Sequence, residues 1–379
     1  MKKIIEGSTA VAIAVRLCRP LVIPMYPITP QTHVVENLAE FIDNGELASE
    51  MIHAESEHSA LSAALGAQAA GARTFTATAS QGLALMHEML FVTSGLRLPV
   101  VMAVANRSLS APINIWNDQS DSVAARDSGW IQFYVESAQE AFDTIIMAYR
   151  VAESRKVLLP AMVCMDGYIL SHVNEPVDVA GQKAVDAFLP GYRPLYALDP
   201  KKPLTFGPIA FPDTFMSFKK DQQDALVNSS EEIKKVSSEF KKAFGRGYGN
   251  GLVELYRMDD ANAAVIAMGS VCGTIREAVD ELRKNGKKAG LVKIKTFRPF
   301  PEKDVISACK KPGSIAVIDK NISLGHDGAL FTEIRAALPG KKISSFIAGL
   351  GGRDITKNHI ITAVKKSMAA PKTVREWLF

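Results

Sequence analysis

Short apolar runs alternate with longer segments of helical periodicity in two parts of the chain, a pattern typical of parallel sheets with crossover helices. The near-continuous apolar character of the runs suits strands that are covered on both faces. In the first part they predict strands at Leu21–Met25, Thr74–Thr78, Val100–Val104 and Leu159–Met165. The segments between them predict helices at Thr32–Asn44, Glu57–Ala70, Ala84–Thr93 and Ala138–Glu153.

A segment punctuated by proline and glycine follows from Pro176 to Leu204, and roughly Phe215–Phe244 predicts one long, highly charged helix. A glycine-rich stretch at 245–251 marks a boundary. The alternation then resumes on a smaller scale, with strands predicted at Ala264–Met268, Ala289–Lys293, Ser314–Ile318 and Ile343–Ile347, and helices at Thr274–Asn285, Pro301–Lys310, Ala329–Leu338 and Lys357–Ser367. We therefore expect an α/β protein in three parts, with residues 1–175 and 251–379 joined by 176–250.

Composition excludes several classes of protein. The 379 residues are 47% hydrophobic and 22% charged, ordinary values for a globular protein with a large core. The net charge of +4 is too small to indicate a nucleic-acid surface. No run reaches the roughly 18 apolar residues that a membrane span needs. The N-terminal residues show no secretory pattern, so we expect a cytoplasmic protein.

The four cysteines are widely separated, and no C-x-x-C motif is present. Cysteine spacing therefore predicts neither an iron–sulfur cluster nor a zinc site. Each cysteine lies among apolar residues, which favours buried, reduced thiols.

The candidate chemistry lies in four loops between residues 26 and 127, each of which follows a predicted strand or opens a predicted helix. In the first loop, YPITP, two prolines stiffen the chain and could hold the Thr29 hydroxyl at a defined point. The simpler alternative is that Thr29 or Pro30 starts the next helix.

The second loop, HAESEHS, contains two histidines and two glutamates. No helical spacing places His53, Glu57 and His58 on one face, which disfavours a metal site. The loop is either a charged surface segment or the place where Glu57 enters a low-polarity crevice and exchanges protons.

The third loop, TATASQG, contains small hydroxyl residues and Gly82 at a strand-to-helix turn. Its backbone N–H groups could contact a ligand, although a serine N-cap explains the sequence equally well. In the fourth loop, ANRSLS, Arg107 follows an apolar strand. Its guanidinium suits a small carboxylate, and otherwise it would pair with Asp118 or Asp121.

These loops occur together as YPITP, ESEHSA, TFTATASQGLALMHE, ANRSLSAPINIWNDQSD and RDSGW, in that order. The combination closely resembles the α subunits of the pyruvate:ferredoxin oxidoreductases, members of the 2-oxoacid:ferredoxin oxidoreductase family. The resemblance continues through LLPAMVCMDGYILSH to FRPFP and GLGGRD near the C-terminus, so it covers nearly the whole chain.

The resemblance implies a thiamine diphosphate enzyme of 2-oxoacids. Its fold would be a doubly wound pyrimidine-binding domain followed by a smaller α/β domain similar to the C-terminal domain of transketolase. Glu57 matches the glutamate that hydrogen-bonds N1′ of the aminopyrimidine, and Ser80 and Gln81 match the cofactor-binding loop. Thr29 and Arg107 match positions that face the substrate, with Arg107 holding its carboxylate. The implied reaction is the reversible, CoA-dependent oxidation of pyruvate to acetyl-CoA and CO₂ by ferredoxin.

The resemblance also implies partner subunits. The GDG signature that binds diphosphate and Mg²⁺ in these enzymes is absent, and Gly325–Gly328 with Asn358 imitates it only superficially. Relatives are glycine-rich where this chain has His326 and Asp327. We expect this chain to supply the pyrimidine half of a shared site in a hetero-oligomer. A β subunit would bring the diphosphate site, Mg²⁺ and a [4Fe-4S] cluster, and a γ subunit, a cluster-bearing ferredoxin-like δ subunit and external ferredoxin would complete the system.

Three alternatives remain. The first keeps the mechanism but changes the substrate to a branched-chain 2-oxoacid such as 2-oxoisovalerate. The second is a non-catalytic assembly subunit, which the presence of Thr29, Glu57 and Arg107 disfavours. The third is a self-contained transketolase-like enzyme, which the missing diphosphate signature disfavours.

Overall fold

The computed structural model describes all residues from 1 to 379, arranged as fifteen strands and thirteen α-helices. The strands are β1 Lys2–Glu6, β2 Val22–Met25, β3 Glu50–His53, β4 Phe75–Thr78, β5 Val101–Asn106, β6 Ile131–Tyr134, β7 Ala161–Asp166, β8 Asn174–Asp178, β9 Val253–Tyr256, β10 Ala263–Ala267, β11 Ala289–Ile294, β12 Thr296–Arg298, β13 Ser314–Asp319, β14 Ile343–Ala348 and β15 Arg375–Leu378.

The helices alternate with these strands over most of the chain. They are α1 Gly7–Cys18, α2 Thr32–Asp43, α3 Glu57–Ala69, α4 Ser80–Leu85, α5 His87–Gly95, α6 Ser120–Ala124, α7 Ala138–Ala152, α8 Gln182–Phe188, α9 Pro212–Phe244, α10 Val271–Lys284, α11 Glu302–Ala308, α12 Ala329–Ala337 and α13 Lys357–Ala369. None of them is both long and apolar enough to cross a membrane.

The eight predicted strands are all present, within two residues at either end. The helix predicted at Ala84–Thr93 is instead two helices, α4 and α5, which meet at Met86. The long charged helix begins three residues earlier than predicted, because Pro212 is tolerated in a first helical turn. Its buried residues recur every three or four positions, so one face packs and the charged faces lie in solvent.

Two main sheets form the fold. The N-terminal sheet has the order β12-β6-β7-β5-β4, and the C-terminal sheet has the order β15-β14-β13-β10-β11-β9. Strands β4 to β7 are mutually parallel, and a single bridge between Val22 and Thr74 links the parallel pair β2-β3 to the open side of β4. An antiparallel ribbon of β1 and β8 stands apart from both sheets. These sheets and crossover helices confirm the predicted α/β class.

The apolar core joins the two sheets. A cluster of 47 buried residues packs α1, α2 and α7 against one face of the N-terminal sheet. A second cluster of 35 residues draws from both sheets, with Met102 and Met162 on one side and Val292 and Val317 on the other. Strand β12 also crosses between them, since it pairs antiparallel with β6 although it follows β11 in the chain. The two sheets therefore share buried surface, and the N-terminal sheet includes a strand from the C-terminal part of the chain.

Candidate active site

The predicted loops meet at one edge of the N-terminal sheet. Strands β2, β4, β5 and β7 all run in the same direction, so their carboxyl ends lie together. This is the edge at which open α/β sheets bind ligands. The loops that carry Thr29, Ser80 and Arg107 start here, and α3 brings Glu57 to the same place.

Thr29 lies in the connection between β2 and α2. The helix begins at Thr32, so the alternative that Thr29 or Pro30 starts it is wrong. The Thr29 side chain is exposed, while its carbonyl oxygen accepts a hydrogen bond of 3.0 Å from Nη1 of Arg107. Pro30 packs against Gly167, where any larger side chain would collide with the proline ring. The loop is thus held from two sides.

Arg107 follows directly after β5 and is only 8% exposed. Its Nε donates to the carbonyl of Asn114 at 3.0 Å, and its Nη1 donates to that of Thr29. The alternative that its side chain pairs with Asp118 or Asp121 is wrong. The Asp118 carboxylate binds other groups, and Asp121 contacts Arg107 through the main-chain N–H of that residue and not through its guanidinium. The guanidinium therefore has no carboxylate partner within the chain.

Glu57 is the first residue of α3, and Ser56 caps that helix by accepting a hydrogen bond from the main chain of Ser59. Glu57 is 6% exposed, although its carboxylate accepts no hydrogen bond within the chain. Gly82 in α4 lies against it, so closely that a Cβ at position 82 would stand 2.6 Å from Oε1 and 2.8 Å from Cγ of Glu57. Only glycine permits this approach of α4 to the carboxylate.

Two further polar atoms around Gly82 have no partner. The Thr78 hydroxyl and the side-chain NH₂ of Gln81 are both buried and form no hydrogen bond. Buried polar groups are almost always paired in native proteins, so unpaired ones point to a ligand or a partner. The Thr78 hydroxyl faces the same space at Gly82 as the Glu57 carboxylate, which fits a small polar ring that both accepts and donates hydrogen bonds.

Ser80 has a conformation that is rare outside glycine. Its φ is +48°, a strained value for a residue with a side chain. Its N–H donates to Asp121 at 2.9 Å and its hydroxyl donates to the carbonyl of Ser108 at 2.5 Å. The alternative that a serine N-cap explains this loop is wrong, since Ala79 occupies the N-cap position without a side-chain bond. The polar groups of Ser80 are used to hold the loop.

The loop from Arg107 to α6 is anchored to the C-terminal sheet. Three hydrogen bonds join this loop to the C-terminal part: Gln119 N–H to Lys320 O at 2.8 Å, Asn114 Nδ2 to Gly351 O at 3.1 Å, and Gly352 N–H to Asn117 O at 2.6 Å. Lys320 Nζ also donates to Asp166 Oδ2 at the end of β7, at 2.9 Å. The position of the Arg107 loop therefore depends on both parts of the chain.

The remaining candidates do not join this site. His53 is exposed at the end of β3, and His58 lies 3.8 Å from Glu88 on the surface. The chain has no group of three or more His, Cys, Asp or Glu residues that could hold a metal ion. All four cysteines are free and buried.

A sequence profile of the family described as pyruvate flavodoxin/ferredoxin oxidoreductase, thiamine diphosphate-binding, matches residues 13–238. The chain belongs to this family. A second profile, pyruvate:ferredoxin oxidoreductase core domain II, matches residues 261–360. The family resemblance inferred from the loop motifs is thereby confirmed.

Relatives from this family match over nearly their full length. Pyruvate synthase subunit PorA of Methanocaldococcus jannaschii is 55% identical, and the match covers 99% of this chain and 97% of that one. Ketoisovalerate oxidoreductase subunit VorA of Pyrococcus abyssi is 44% identical, with 99% and 96% covered. The chain is therefore more similar to the pyruvate synthase subunit than to the ketoisovalerate subunit.

Solved structures show the same fold. The 2-oxoglutarate:ferredoxin oxidoreductase of Magnetococcus marinus superposes with a TM-score of 0.77 at 21% identity, over 97% of this chain and 65% of that chain. A split-gene transketolase superposes with a TM-score of 0.54 at 11% identity, over 95% and 97%. At these identities the likeness concerns the fold alone, and it confirms the predicted fold class.

The sequence predicts the loops of the site but not the role of Asp121, whose side chain is hydrogen-bonded to two of them. Asp121 had appeared only as a possible partner of the Arg107 side chain, yet it binds the main chain of both Ser80 and Arg107. The signal available was an acidic residue in the first turn of a short helix after a serine. That pattern is too common to single out a residue.

Proposed function

We propose that this chain is the α subunit of a pyruvate synthase and supplies the pyrimidine half of a shared thiamine diphosphate site. The enzyme converts pyruvate and CoA to acetyl-CoA and CO₂ and passes two electrons to ferredoxin, reversibly. The relatives' names and the geometry at the edge of the N-terminal sheet both support this proposal.

The observation that carries the proposal is the buried guanidinium of Arg107. It is 8% exposed and hydrogen-bonded only to two carbonyl oxygens. A buried charge without a counter-ion is costly, so such a group fits a site whose anion arrives with the substrate. The carboxylate of a 2-oxoacid matches the planar fork of a guanidinium. Thr29, held by the same arginine, then faces the substrate from the other side.

Glu57 is proposed to act on the cofactor. Its carboxylate lies in the crevice with free acceptor capacity, so it can hold a proton at N1′ of the aminopyrimidine. The unpaired groups of Thr78 and Gln81 fit the remaining polar edge of that ring. When bound, thiamine diphosphate supplies the nucleophilic carbon and the electron sink for decarboxylation. Ser80 contributes by fixing the loop that carries Gln81 and Gly82.

We propose that partner subunits complete the enzyme. A β subunit would carry the diphosphate site, Mg²⁺ and a [4Fe-4S] cluster, because this chain has neither a GDG signature nor clustered cysteines. A γ subunit and a ferredoxin-like δ subunit would bring the remaining parts, and external ferredoxin would accept the electrons. Residues 1–175 would form the pyrimidine-binding domain, 176–250 the link and 251–379 the transketolase-like domain.

The experiment is a panel of 2-oxoacids on the purified complex, with viologen reduction followed in the presence of CoA. Pyruvate is expected to give the highest kcat/KM, and omission of CoA is expected to suppress steady turnover. A higher kcat/KM with 2-oxoisovalerate would overturn the assignment of pyruvate in favour of the branched-chain alternative. Absence of turnover with every 2-oxoacid would overturn the proposed function.

A further inference from the structure

Asp121 lies in the first turn of α6 and is 2% exposed. Its carboxylate accepts four hydrogen bonds. Oδ2 accepts from the N–H of Ser80 at 2.9 Å and from the N–H of Arg107 at 3.0 Å. Oδ1 accepts from Nδ2 of Asn106 and from the N–H of Ser122, both at 2.7 Å. One side chain thus joins the ends of β4 and β5 to the start of α6.

The hydrogen bond from Ser80 to Asp121 stabilises a backbone conformation that is unfavourable by itself. The left-handed region of φ, where Ser80 lies, is strained for a residue with a side chain. The acceptor on Asp121 stabilises that conformation. Because Gly82 follows two residues later, the same turn sets how closely α4 approaches Glu57.

The bond to Arg107 acts on the other side of the site. It fixes the main chain at the point from which the guanidinium reaches Thr29 and Asn114. No basic side chain forms an ion pair with Asp121, and burial raises the pKa of its carboxyl to about 6. A buried carboxylate without a counter-ion is costly even when it is hydrogen-bonded, and two of the four donors to Asp121 are the main-chain N–H groups of the two site loops.

We propose that Asp121 is a positioning residue. It holds the loop of Ser80, beside Glu57, and the main chain of Arg107 in a fixed position relative to each other. This inference rests on the proposed function, because it assigns Glu57 to the cofactor and Arg107 to the substrate. It predicts that one substitution weakens two separate binding events, which no residue confined to either loop would do.

The test compares the wild-type complex with Asp121→Ala in two measurements. The first is the KM for pyruvate, and the second is the dissociation constant of thiamine diphosphate, measured calorimetrically on complex stripped of cofactor. Both constants are expected to rise about tenfold or more, and kcat/KM is expected to fall by about 100-fold, as for a misplacement of about 1 Å. If the alanine variant does not assemble, the same two constants are measured on Asp121→Ser. A rise in both supports the inference, and unchanged values overturn it.

The conservative variant Asp121→Asn is expected to recover most of the loss. Its amide oxygen can accept from Ser80 and Arg107, and its NH₂ group can donate to the unpaired Oδ1 of Asn106 after rotation of that amide. Only the N–H of Ser122 loses its acceptor on this side chain. The double variant Ser80→Gly/Asp121→Ala is expected to recover cofactor affinity only in part, because glycine lacks the hydroxyl that binds Ser108, and not to recover the KM. Glycine adopts the positive φ without help, whereas Arg107 stays unsupported.

The matched control is Asp143→Ala, which removes another buried carboxylate that binds Arg246 and Tyr248 away from these loops. It is expected to lower the melting temperature and to leave both constants within twofold. If Asp121→Ala changes the constants no more than this control does, the inference is overturned while the proposed function stands. If the wild-type complex oxidises no 2-oxoacid, the proposed function fails instead.

Discussion

The Gly82→Ala substitution is expected to displace the Glu57 carboxylate, because Gly82 in α4 lies directly against it. An alanine Cβ at this position would collide with the Thr78 hydroxyl and would stand 2.6 Å from Oε1 and 2.8 Å from Cγ of Glu57, whereas ordinary contacts begin at 3.4 Å. The Glu57 carboxylate must therefore move by roughly 1 Å, or α4 must retreat by as much. Misplacement of a reacting group by about 1 Å costs about 100-fold in rate, equivalent to about 2.7 kcal/mol in the barrier.

The effect on folding is expected to be much smaller. Gly82 has an ordinary helical φ, and alanine in a helix is favoured over glycine by roughly 1 kcal/mol. Overpacking costs about 1–3 kcal/mol, so the net loss of unfolding free energy is about 2 kcal/mol or less. Gly82→Ala should therefore yield an assembled complex with little activity.

The assay is pyruvate-dependent viologen reduction by the complex, paired with thermal denaturation. Gly66→Ala is the matched control, since Gly66 lies in α3, the helix that carries Glu57, and a Cβ there would meet nothing within 4 Å. This control should keep full activity and gain about 0.5–1 kcal/mol in stability. If Gly82→Ala retains more than half of the wild-type rate, the contact between Gly82 and Glu57 is not what turnover requires.

Three further outcomes are expected. Glu57→Gln should abolish turnover with unchanged assembly on gel filtration, because the amide cannot hold the proton at N1′; near-normal rates would contradict that role. Arg107→Ala should mainly raise the KM for pyruvate, with a loss of about 2–4 kcal/mol in kcat/KM, and unchanged constants would remove it from the site. Burial raises the pKa of Asp319 to about 7, so its contribution to stability is complete below about pH 4 and is lost as the pH rises through 7. The melting temperature of Asp319→Asn relative to wild type should accordingly increase between pH 5.5 and 8, and a constant difference would refute the assigned burial effect.

The elements that could be predicted are those with a local signature. The apolar runs of β4, β5 and β7 are buried along their whole length, so hydrophobicity alone located them. Helix α1 was missed although ten of its twelve residues are buried, since a helix covered on nearly all sides has no polar face to reveal its period. Strand β12 has three residues and forms by pairing with β6, which is distant in sequence, so no local pattern predicts it.

The same division applies to the site. Thr29, Glu57 and Arg107 were found because they stand in motifs that resemble a known family, and the structure brings their loops to one edge. The alternative that Arg107 pairs with Asp118 or Asp121 is wrong, because its side chain binds the carbonyl oxygens of Thr29 and Asn114. Main-chain acceptors of this kind leave no trace in a sequence. Asp121 likewise depends on a tertiary arrangement that residue types do not reveal.

Strand β12 comes from the C-terminal part of the chain but completes the N-terminal sheet, which has a consequence for synthesis of the protein. Thr296 and Arg298 pair with Phe133 and Gln132, so the edge of β6 stays unpaired while the nascent chain is still being extended by the ribosome. An open edge of this kind can recruit foreign strands. The N-terminal sheet is complete only after residues 296–298 have been synthesised. The residues that precede them therefore cannot form the complete sheet alone. Premature termination before residue 298 should therefore leave an aggregation-prone fragment rather than a smaller working domain.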